Sequence, residues 1–179
     1  MPAPRCLPAR DRRAPNAATR QAGVDDAMGL YFEDFTDELR VVTRGRTVGE
    51  GDITLFSGLS GDFNPLHVDA EYCATTPFGE RIAHGPLTLA MAIGLMSQQN
   101  LIDATTMGLL DLHWSFSGPV RIGDTVHAIV TTVERKPSRK PDRGVVTLKL
   151  DVVNQRGEQV QTGQMKLLMK RRDQDPNRC

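Results

Sequence analysis

Three side chains that can hold or move protons stand within six residues of one another, in the segment Asp62-Phe-Asn-Pro-Leu-His67. Asp62 supplies a carboxylate, Asn64 an amide and His67 an imidazole, and Pro65 restricts the backbone between them. A carboxylate paired with a histidine can take a proton from water and return it to a carbon near neutral pH. The segment is therefore a candidate acid–base site.

The same residue types also have a purely structural interpretation. Asp62 could cap a turn, Asn64-Pro65 could form another, and His67 could be a structural histidine with satisfied hydrogen bonds. The segment alone does not decide between a catalytic pair and a set of turn residues. A second element is needed.

That second element is His84-Gly85-Pro86-Leu87-Thr88, where a glycine precedes an apolar stretch that begins with proline. The Gly85 N–H would lie at the positive end of the helix and could stabilise negative charge that develops on a substrate oxygen. Thr88 could add a hydroxyl contact or cap the helix. An ordinary loop-to-helix junction would use the same residues.

A metal site is the competing use of these side chains. His67, Asp69 and His84 could be drawn together as ligands, but the sequence contains no helical i, i+4 histidine pair and no HExxH motif. We therefore predict no metal.

The elements that must position these residues follow from apolar patterning and from Gly, Pro and Asp clusters. The β-branched run from Leu39 to Val48 predicts a strand, and Asp62 to His67 is expected to be irregular because Asn-Pro disfavours helical geometry. Short helices are predicted over about Asp52 to Leu59 and Asp69 to Thr75, a long one from Pro86 to Ser97, and strands over about Met107 to Phe116, Thr125 to Arg135, Val145 to Asn154 and Glu158 to Lys170.

One strand shows its buried face in the sequence. Val146, Leu148, Leu150 and Val152 alternate with polar residues, which is the pattern of an antiparallel strand with one buried face. The helix from Pro86 is apolar on every side, so it must be enclosed. Together they predict an α+β hot-dog fold, a long central helix wrapped by a curved antiparallel sheet of four or five strands. Because one such sheet leaves an exposed edge, we also expect a homodimer.

Length and composition limit the classes of protein that fit. A chain of 179 residues suits one domain, and 22 basic against 22 acidic residues give no field that would attract nucleic acid or an anionic membrane. No apolar run is long enough to span a bilayer, so we expect a cytoplasmic protein. Residues 1–29, rich in Arg, Pro and Ala, are interpreted as a disordered leader, 30–171 as the domain and 172–179 as a disordered tail.

Two segments together carry a family resemblance: Ser60-Gly-Asp-Phe-Asn-Pro-Leu-His67, and Pro77-Phe-Gly-Glu-Arg-Ile-Ala-His-Gly85. Their order and spacing resemble the signature of the MaoC-like, R-specific enoyl-CoA hydratases. The later passage Phe116-Ser-Gly-Pro-Val-Arg-Ile-Gly-Asp-Thr125 resembles a strand-turn-strand passage of that family. The resemblance covers roughly Tyr31 to Lys170.

The resemblance implies a hot-dog homodimer that hydrates trans-2-enoyl-CoA reversibly to (R)-3-hydroxyacyl-CoA. Coenzyme A belongs to the substrate, and no cofactor is implied. Asp62 and His67 match the catalytic pair that holds and activates water, and Gly85 matches the N–H that stabilises the oxyanion. Asn64 matches an amide beside the pair, and Thr88 stands where many members carry serine. With His84, these last two are our predicted substrate-binding residues.

Three other functions stay open at this point. A hot-dog thioesterase would bind the same thioester and attack its carbonyl carbon, a non-catalytic module would bind an acyl thioester without needing a water-activating pair, and a dehydratase could act on a carrier-protein thioester. The basic segment from Lys136 to Arg143 could meet the phosphates of coenzyme A or form a solvated hairpin tip.

Overall fold

The alternation in the most apolar strand is present in the computed structural model, which describes residues 29–174. In the strand Arg143–Asn154, the side chains of Val146, Leu148, Leu150 and Val152 are fully buried. On the opposite face, Lys149 and Asp151 form an ion pair of 2.9 Å. The strand therefore has one face in the core, as predicted.

The helices and strands follow the predicted order. The helices are α1 (Glu50–Ser60), α2 (Pro65–Val68), α3 (Ala70–Ala74) and α4 (Gly85–Ser97), with 3-10 turns at Phe32–Asp34 and Arg172–Gln174. The strands are β1 (Arg40–Val42), β2 (Arg46–Thr47), β3 (Thr106–Phe116), β4 (Thr125–Pro137), β5 (Arg143–Asn154) and β6 (Gln159–Lys170).

All the strands belong to one antiparallel sheet with the order β1-β4-β5-β6-β3, in which β2 also pairs with β4. The sheet is therefore five strands wide, and α4 packs against it through Leu87, Met91 and Ala92. A long helix against an antiparallel sheet confirms the predicted α+β hot-dog fold.

The strand predicted over residues 39–48 is split into β1 and β2. At the break, Thr43 donates its N–H to the Ala128 carbonyl, while the Ala128 N–H donates to the Thr43 hydroxyl. A side-chain oxygen here takes the place of a main-chain acceptor, which interrupts the ladder. Sequence patterning cannot show this exchange.

The segment Asp62 to His67 is also more regular than predicted. The Asn64 side chain accepts a hydrogen bond of 3.1 Å from the Leu66 N–H, and Pro65 occupies the first helical position of α2. Such an amide cap followed by proline is a helix start. The prediction of an irregular segment is wrong for its second half, and His67 lies on α2.

Residues just outside the predicted domain bounds of 30–171 make contacts with residues inside them, and the bounds themselves stay a prediction. Gly29 donates its N–H to the Asp103 carbonyl at 2.7 Å, and Arg172, at the start of the second 3-10 turn, pairs with Asp34. These contacts hold Gly29 and Arg172 against the domain. The rest of the predicted leader, 1–28, and of the predicted tail, 175–179, lie outside the described residues.

Residues 29–174 do not enclose the central helix α4 on every side. Its sheet-facing side is buried, but Pro86, Ala90 and Gly94 form an exposed stripe on the other side. The apolar sequence predicted full enclosure, which one sheet does not provide. Within residues 29–174, no helix is long and apolar enough to cross a membrane.

A buried carboxylate fixes the turn that precedes β4. Asp124 has a side chain only 4% exposed and receives hydrogen bonds from Arg156 at 2.8 Å, Gln155 at 2.7 Å and the Arg121 N–H at 2.9 Å. Burial works to raise the pKa of Asp124, but these hydrogen bonds outweigh it and leave the pKa below its ordinary value. The main chain of this turn bonds Val48, just before α1, so the network also holds the start of α1.

We predict that Asp124→Asn lowers the free energy of unfolding near pH 7 by about 1 to 2 kcal/mol, because charged hydrogen bonds are lost and the exposed partner Arg156 is already screened. A carboxyl with a lowered folded-state pKa stabilises above its unfolded-state pKa, about 3.9, and loses that contribution as pH falls through the folded-state value. The difference between wild type and variant should therefore shrink below about pH 4.

Urea unfolding at pH 7, 5 and 3.5 checks this prediction, with Asp37→Asn as the control because Asp37 is exposed. The control should match wild type at each pH. A variant as stable as wild type at pH 7, or a difference that does not change with pH, would contradict the assigned role of Asp124.

Candidate active site

The fold brings together the two sequence motifs that were predicted to share one site. One side-chain donor or acceptor atom from each of Asp62, His67 and His84 lies within 4.8 Å of the other two. Asp62 follows α1, His67 lies on α2, and His84 is the residue before α4. Three separate elements therefore supply the candidate site.

Asp62 is placed by the end of α1. The helix stops at Gly61, which has φ 76° and donates its N–H to the Ser57 carbonyl at 2.8 Å. This left-handed cap favours glycine and turns the chain out of the helix. The carboxylate of Asp62 then accepts the Asn64 N–H at 3.1 Å, and its side chain stays 51% exposed. One carboxylate oxygen is thus held while the group stays accessible.

His67 is oriented by a main-chain contact from the second motif. Its Nδ1 lies 2.8 Å from the Ile82 carbonyl oxygen. Because a carbonyl only accepts hydrogen bonds, Nδ1 carries the proton, and in the neutral ring Nε2 has the free lone pair. The contact therefore fixes the tautomer in which Nε2 can accept a proton.

The separation of the pair suits one shared water molecule. A carboxylate oxygen of Asp62 and a ring nitrogen of His67 lie within 4.8 Å of each other, and a water molecule that forms two hydrogen bonds of about 2.8 Å can join two groups at such a separation. The carboxylate can only accept a hydrogen bond from such a water, and Nε2 can accept another. Both water protons are then directed toward bases, which exposes an oxygen lone pair for attack.

Gly85 directly follows His84 and is the first residue of α4, where N–H groups have no partner within the helix. Its carbonyl accepts a hydrogen bond of 3.1 Å from the Gln161 amide, and the Gln161 oxygen accepts the Trp114 indole N–H at 2.9 Å. A Cβ at Gly85 would come within 2.7 Å of the Phe116 ring. A larger residue at position 85 would therefore require the exposed Phe116 ring to shift.

The other three predicted site residues differ in their access to a ligand. Asn64 is exposed, although its carbonyl oxygen already caps α2. His84 is only 1% exposed and Thr88 is fully buried, and the Thr88 hydroxyl and His84 Nδ1 have no hydrogen-bond partner within the described residues. His84 and Thr88 are therefore buried within the described residues, and the substrate-binding role predicted for both stays a prediction.

Asp62, His67 and His84 are also the one set of possible metal ligands among residues 29–174. The two imidazole rings, however, are stacked, with centroids 3.7 Å apart and planes 29° apart. A metal ion binds a histidine nitrogen in the plane of the ring at about 2.0 Å, so two stacked rings do not direct their lone pairs at one point. His84 Nε2 moreover lies 3.0 Å from the Asp62 carbonyl oxygen and so carries a proton. This donor geometry suits acid–base chemistry better than metal binding.

Gln161, Trp114 and Phe116 contribute to the site and were missed as site residues. Gln161 is 2% exposed and joins Trp114 to the Gly85 carbonyl. A glutamine at an inward position of an apolar strand needs a buried partner, and so does a tryptophan. The sequence shows that both residues need a hydrogen-bond partner. It does not show that Gln161 and Trp114 are partners of each other.

The basic segment from Lys136 to Arg143 lies far from this site within one chain. It forms the tip between β4 and β5, where Gly144 pairs with Met169 and Thr106 also pairs with Met169. Gln161 pairs with Phe116 at the opposite end of the same strands. The interpretation of the segment as a hairpin tip agrees with this placement, and a phosphate contact with a ligand bound in the same chain does not.

A comparison with protein-family models matches residues 33–154 to the MaoC like domain. The chain belongs to the MaoC-like domain family. The matched region contains Asp62, His67 and Gly85, whereas Gln161 lies beyond its end.

Several relatives of this MaoC-like domain have been described. It is 39% identical over 116 residues to an (R)-specific enoyl-CoA hydratase of Rhodospirillum rubrum, covering 65% of this chain and 78% of the relative. A solved MaoC-like dehydratase from the same organism is 32% identical with TM-score 0.71, covering 80% of this chain and 99% of that one. A solved R-hydratase of Pseudomonas aeruginosa is 31% identical with TM-score 0.68, covering 80% and 88%.

Proposed function

We propose that this MaoC-like domain is a hydro-lyase that hydrates trans-2-enoyl-CoA reversibly to (R)-3-hydroxyacyl-CoA. The observation that carries the proposal is the Asp62–His67 pair, whose fixed tautomer and spacing suit one activated water beside the Gly85 N–H. The choice of enoyl-CoA and of the R product rests on the names of the hydratase relatives.

Water addition begins with the pair. The Asp62 carboxylate accepts one hydrogen bond from the water and orients it, and His67 Nε2 takes a proton as the oxygen bonds to carbon 3 of the enoyl thioester. The electron pair of the double bond moves through carbon 2 onto the thioester oxygen. The resulting enolate carries negative charge where the substrate carbonyl was neutral.

The start of α4 stabilises that charge. A fixed N–H at the positive end of a helix binds an oxyanion more strongly than it binds a neutral carbonyl, so it lowers the barrier to addition. Collapse of the enolate takes the proton back from His67 to carbon 2, which restores both the carbonyl and the free base. The reverse sequence removes water from the hydroxyacyl thioester.

A hot-dog thioesterase is the alternative enzyme that the same pocket could support, since it would use the same thioester and an activated water. It requires attack on the carbonyl carbon. The proposed position of Gly85 as donor to the thioester oxygen serves both reactions, but a base that returns its proton to carbon 2 serves hydration only. A non-catalytic acyl-thioester module would need neither member of the pair.

We further propose a homodimer that forms through β3. This strand is an edge of the sheet, eleven residues long, and exposes apolar side chains: Leu109, Leu110, Leu112 and Phe116. A long apolar edge strand is a template for pairing with another chain. A second copy on β3 would also approach the exposed stripe of α4 and the Phe116 side of Gly85.

The cytoplasmic location and the absence of cofactor, nucleic-acid and membrane partners stay predictions.

The function is tested by the loss of enoyl-thioester absorbance when purified protein is mixed with crotonyl-CoA. We expect wild-type turnover, and we expect Asp62→Asn and His67→Asn each to lower kcat by roughly 100-fold or more, since the first removes the carboxylate that orients the water and the second removes the base. His127→Gln is the control because His127 lies on β4, away from the pair.

Circular dichroism and thermal unfolding would show that the variants are folded. Wild-type protein that releases free thiol without losing the double bond would favour the thioesterase. Protein that turns over neither bond would favour the binding module. Full activity in either variant would contradict the assignment of the pair.

The dimer is tested by sedimentation equilibrium. Wild type should sediment at twice the chain mass of 19.7 kDa. Leu110→Glu should shift it toward one chain mass, because a charge would be buried without a partner at the pairing edge. Val42→Glu, at an exposed site on the opposite edge strand β1, should stay dimeric. A monomeric wild type, or equal dissociation of both variants, would contradict pairing through β3.

A further inference from the structure

His84 is the buried histidine of the site. Its side chain is 1% exposed, whereas Asp62 is 51% exposed. It occupies the position before α4 but makes no capping hydrogen bond to that helix. A group in this position does not reach a substrate directly, so its effect on the reaction must pass through its neighbours.

The polar contact of His84 is made to the main chain of Asp62. The ring Nε2 lies 3.0 Å from the Asp62 carbonyl oxygen, and the carbonyl can only accept, so Nε2–H is the donor. The same nitrogen lies 3.5 Å from the Ser57 hydroxyl and 3.9 Å from the Asp62 carboxylate. His84 therefore joins the start of α4 to the turn that carries the catalytic carboxylate.

The apolar contact of His84 is made by the face of its ring. The ring stacks on His67 at 3.7 Å between centroids, and Phe56 packs on it at 5.0 Å with a plane angle of 54°. The single hydrogen bond from His67 to Ile82 fixes one atom of the His67 ring but leaves rotation about that bond. A second ring against its face removes this freedom.

The burial of His84 is not explained by folding stability. Its Nδ1 has no hydrogen-bond partner within the described residues, and an unpartnered buried nitrogen destabilises the folded state. A phenylalanine would fill a similar space without that cost, and a glutamine would keep a donor without the ring. Histidine is the residue that offers both a donor at this reach and a flat ring face.

We propose that His84 is a positioning residue for the water-activating pair. Its hydrogen bond sets the backbone of Asp62, and its ring face sets the plane of His67. The two groups are then held at the separation that one water can bridge, without any contact between His84 and the substrate. This inference rests on the proposed hydratase function, and it replaces the predicted substrate-binding role of His84.

Three variants separate the two contacts. His84→Gln keeps a donor and removes the ring, His84→Phe keeps a ring face and removes the donor, and His84→Ala removes both. Because a misplacement of about 1 Å can cost roughly 100-fold in rate, we expect a loss of that order in kcat for the alanine variant and smaller losses for the other two. KM for crotonyl-CoA should change by less than about 3-fold, because His84 makes no contact with the substrate in this proposal and substrate binding is therefore unchanged.

Kinetics alone would depend on the hydratase function, so a second readout reports on His67 itself. Long-range proton–nitrogen NMR of the histidine rings identifies which nitrogen carries the proton. We expect the Nδ1–H form of His67 in wild type and in every variant, because the Ile82 carbonyl fixes it. Nuclear Overhauser contacts of the His67 ring protons should form one fixed set in wild type and in His84→Phe, and should be averaged over several ring orientations in His84→Ala. His127→Gln should match wild type in both measurements and also assists the assignment of the histidine signals.

Several results would overturn the proposal. A rise in KM with unchanged kcat would show that His84 binds substrate. Full kcat in folded His84→Ala, or an unchanged orientation of the His67 ring in that variant, would show that neither contact positions the pair. An inert wild type with the expected NMR pattern would instead reject the hydratase function and leave the positioning of His67 supported.

Discussion

The geometry of the site depends on one constraint, the anchoring of the start of α4 in the sheet. Gln161, buried on β6, donates to the Gly85 carbonyl and accepts from Trp114 on β3. Each such bond adds only about 1 kcal/mol to stability, but leaving either group unpaired in the core would cost more. These hydrogen bonds therefore fix the position of the first turn of α4 relative to the sheet. They also fix the position of the Gly85 N–H. His84 directly precedes Gly85, and its ring donates a hydrogen bond to the Asp62 carbonyl. The turn at Asp62 is therefore linked to the anchored start of α4.

The general architecture could be predicted because it depends on local patterns. Alternation along β5, the proline at the start of α4 and the Gly-Pro-Asp clusters between strands each report on their own segment. The long-range exchanges could not be predicted in this way. The Thr43 hydroxyl replaces a main-chain acceptor for Ala128, and the Asn64 amide converts a predicted irregular segment into the start of α2. Both depend on partners that the patterns do not specify.

The candidate site also combines features that the sequence could predict with features that depend on long-range contacts. The types and spacing of Asp62, His67 and Gly85 indicated acid–base chemistry and an oxyanion donor, and the family resemblance gave them roles. What the sequence did not contain was the tautomer of His67, which depends on the Ile82 carbonyl, and the stacking of His84 on that ring. The burial of His84 and Thr88 was also not readable, because a polar residue in the first turn of a helix is as compatible with exposure as with a core position.

The central claim is that the Asp62–His67 pair directs water to carbon 3 of an enoyl thioester and returns its proton to carbon 2. Mass spectrometry of the product formed from crotonyl-CoA in oxygen-18 water, followed by chiral separation of the hydroxyacyl group, tests this most directly. Hydration by the pair gives an intact thioester that carries one heavy oxygen on its hydroxyl group, in the R configuration. Heavy oxygen in a free carboxylate, with release of coenzyme A thiol, would contradict it.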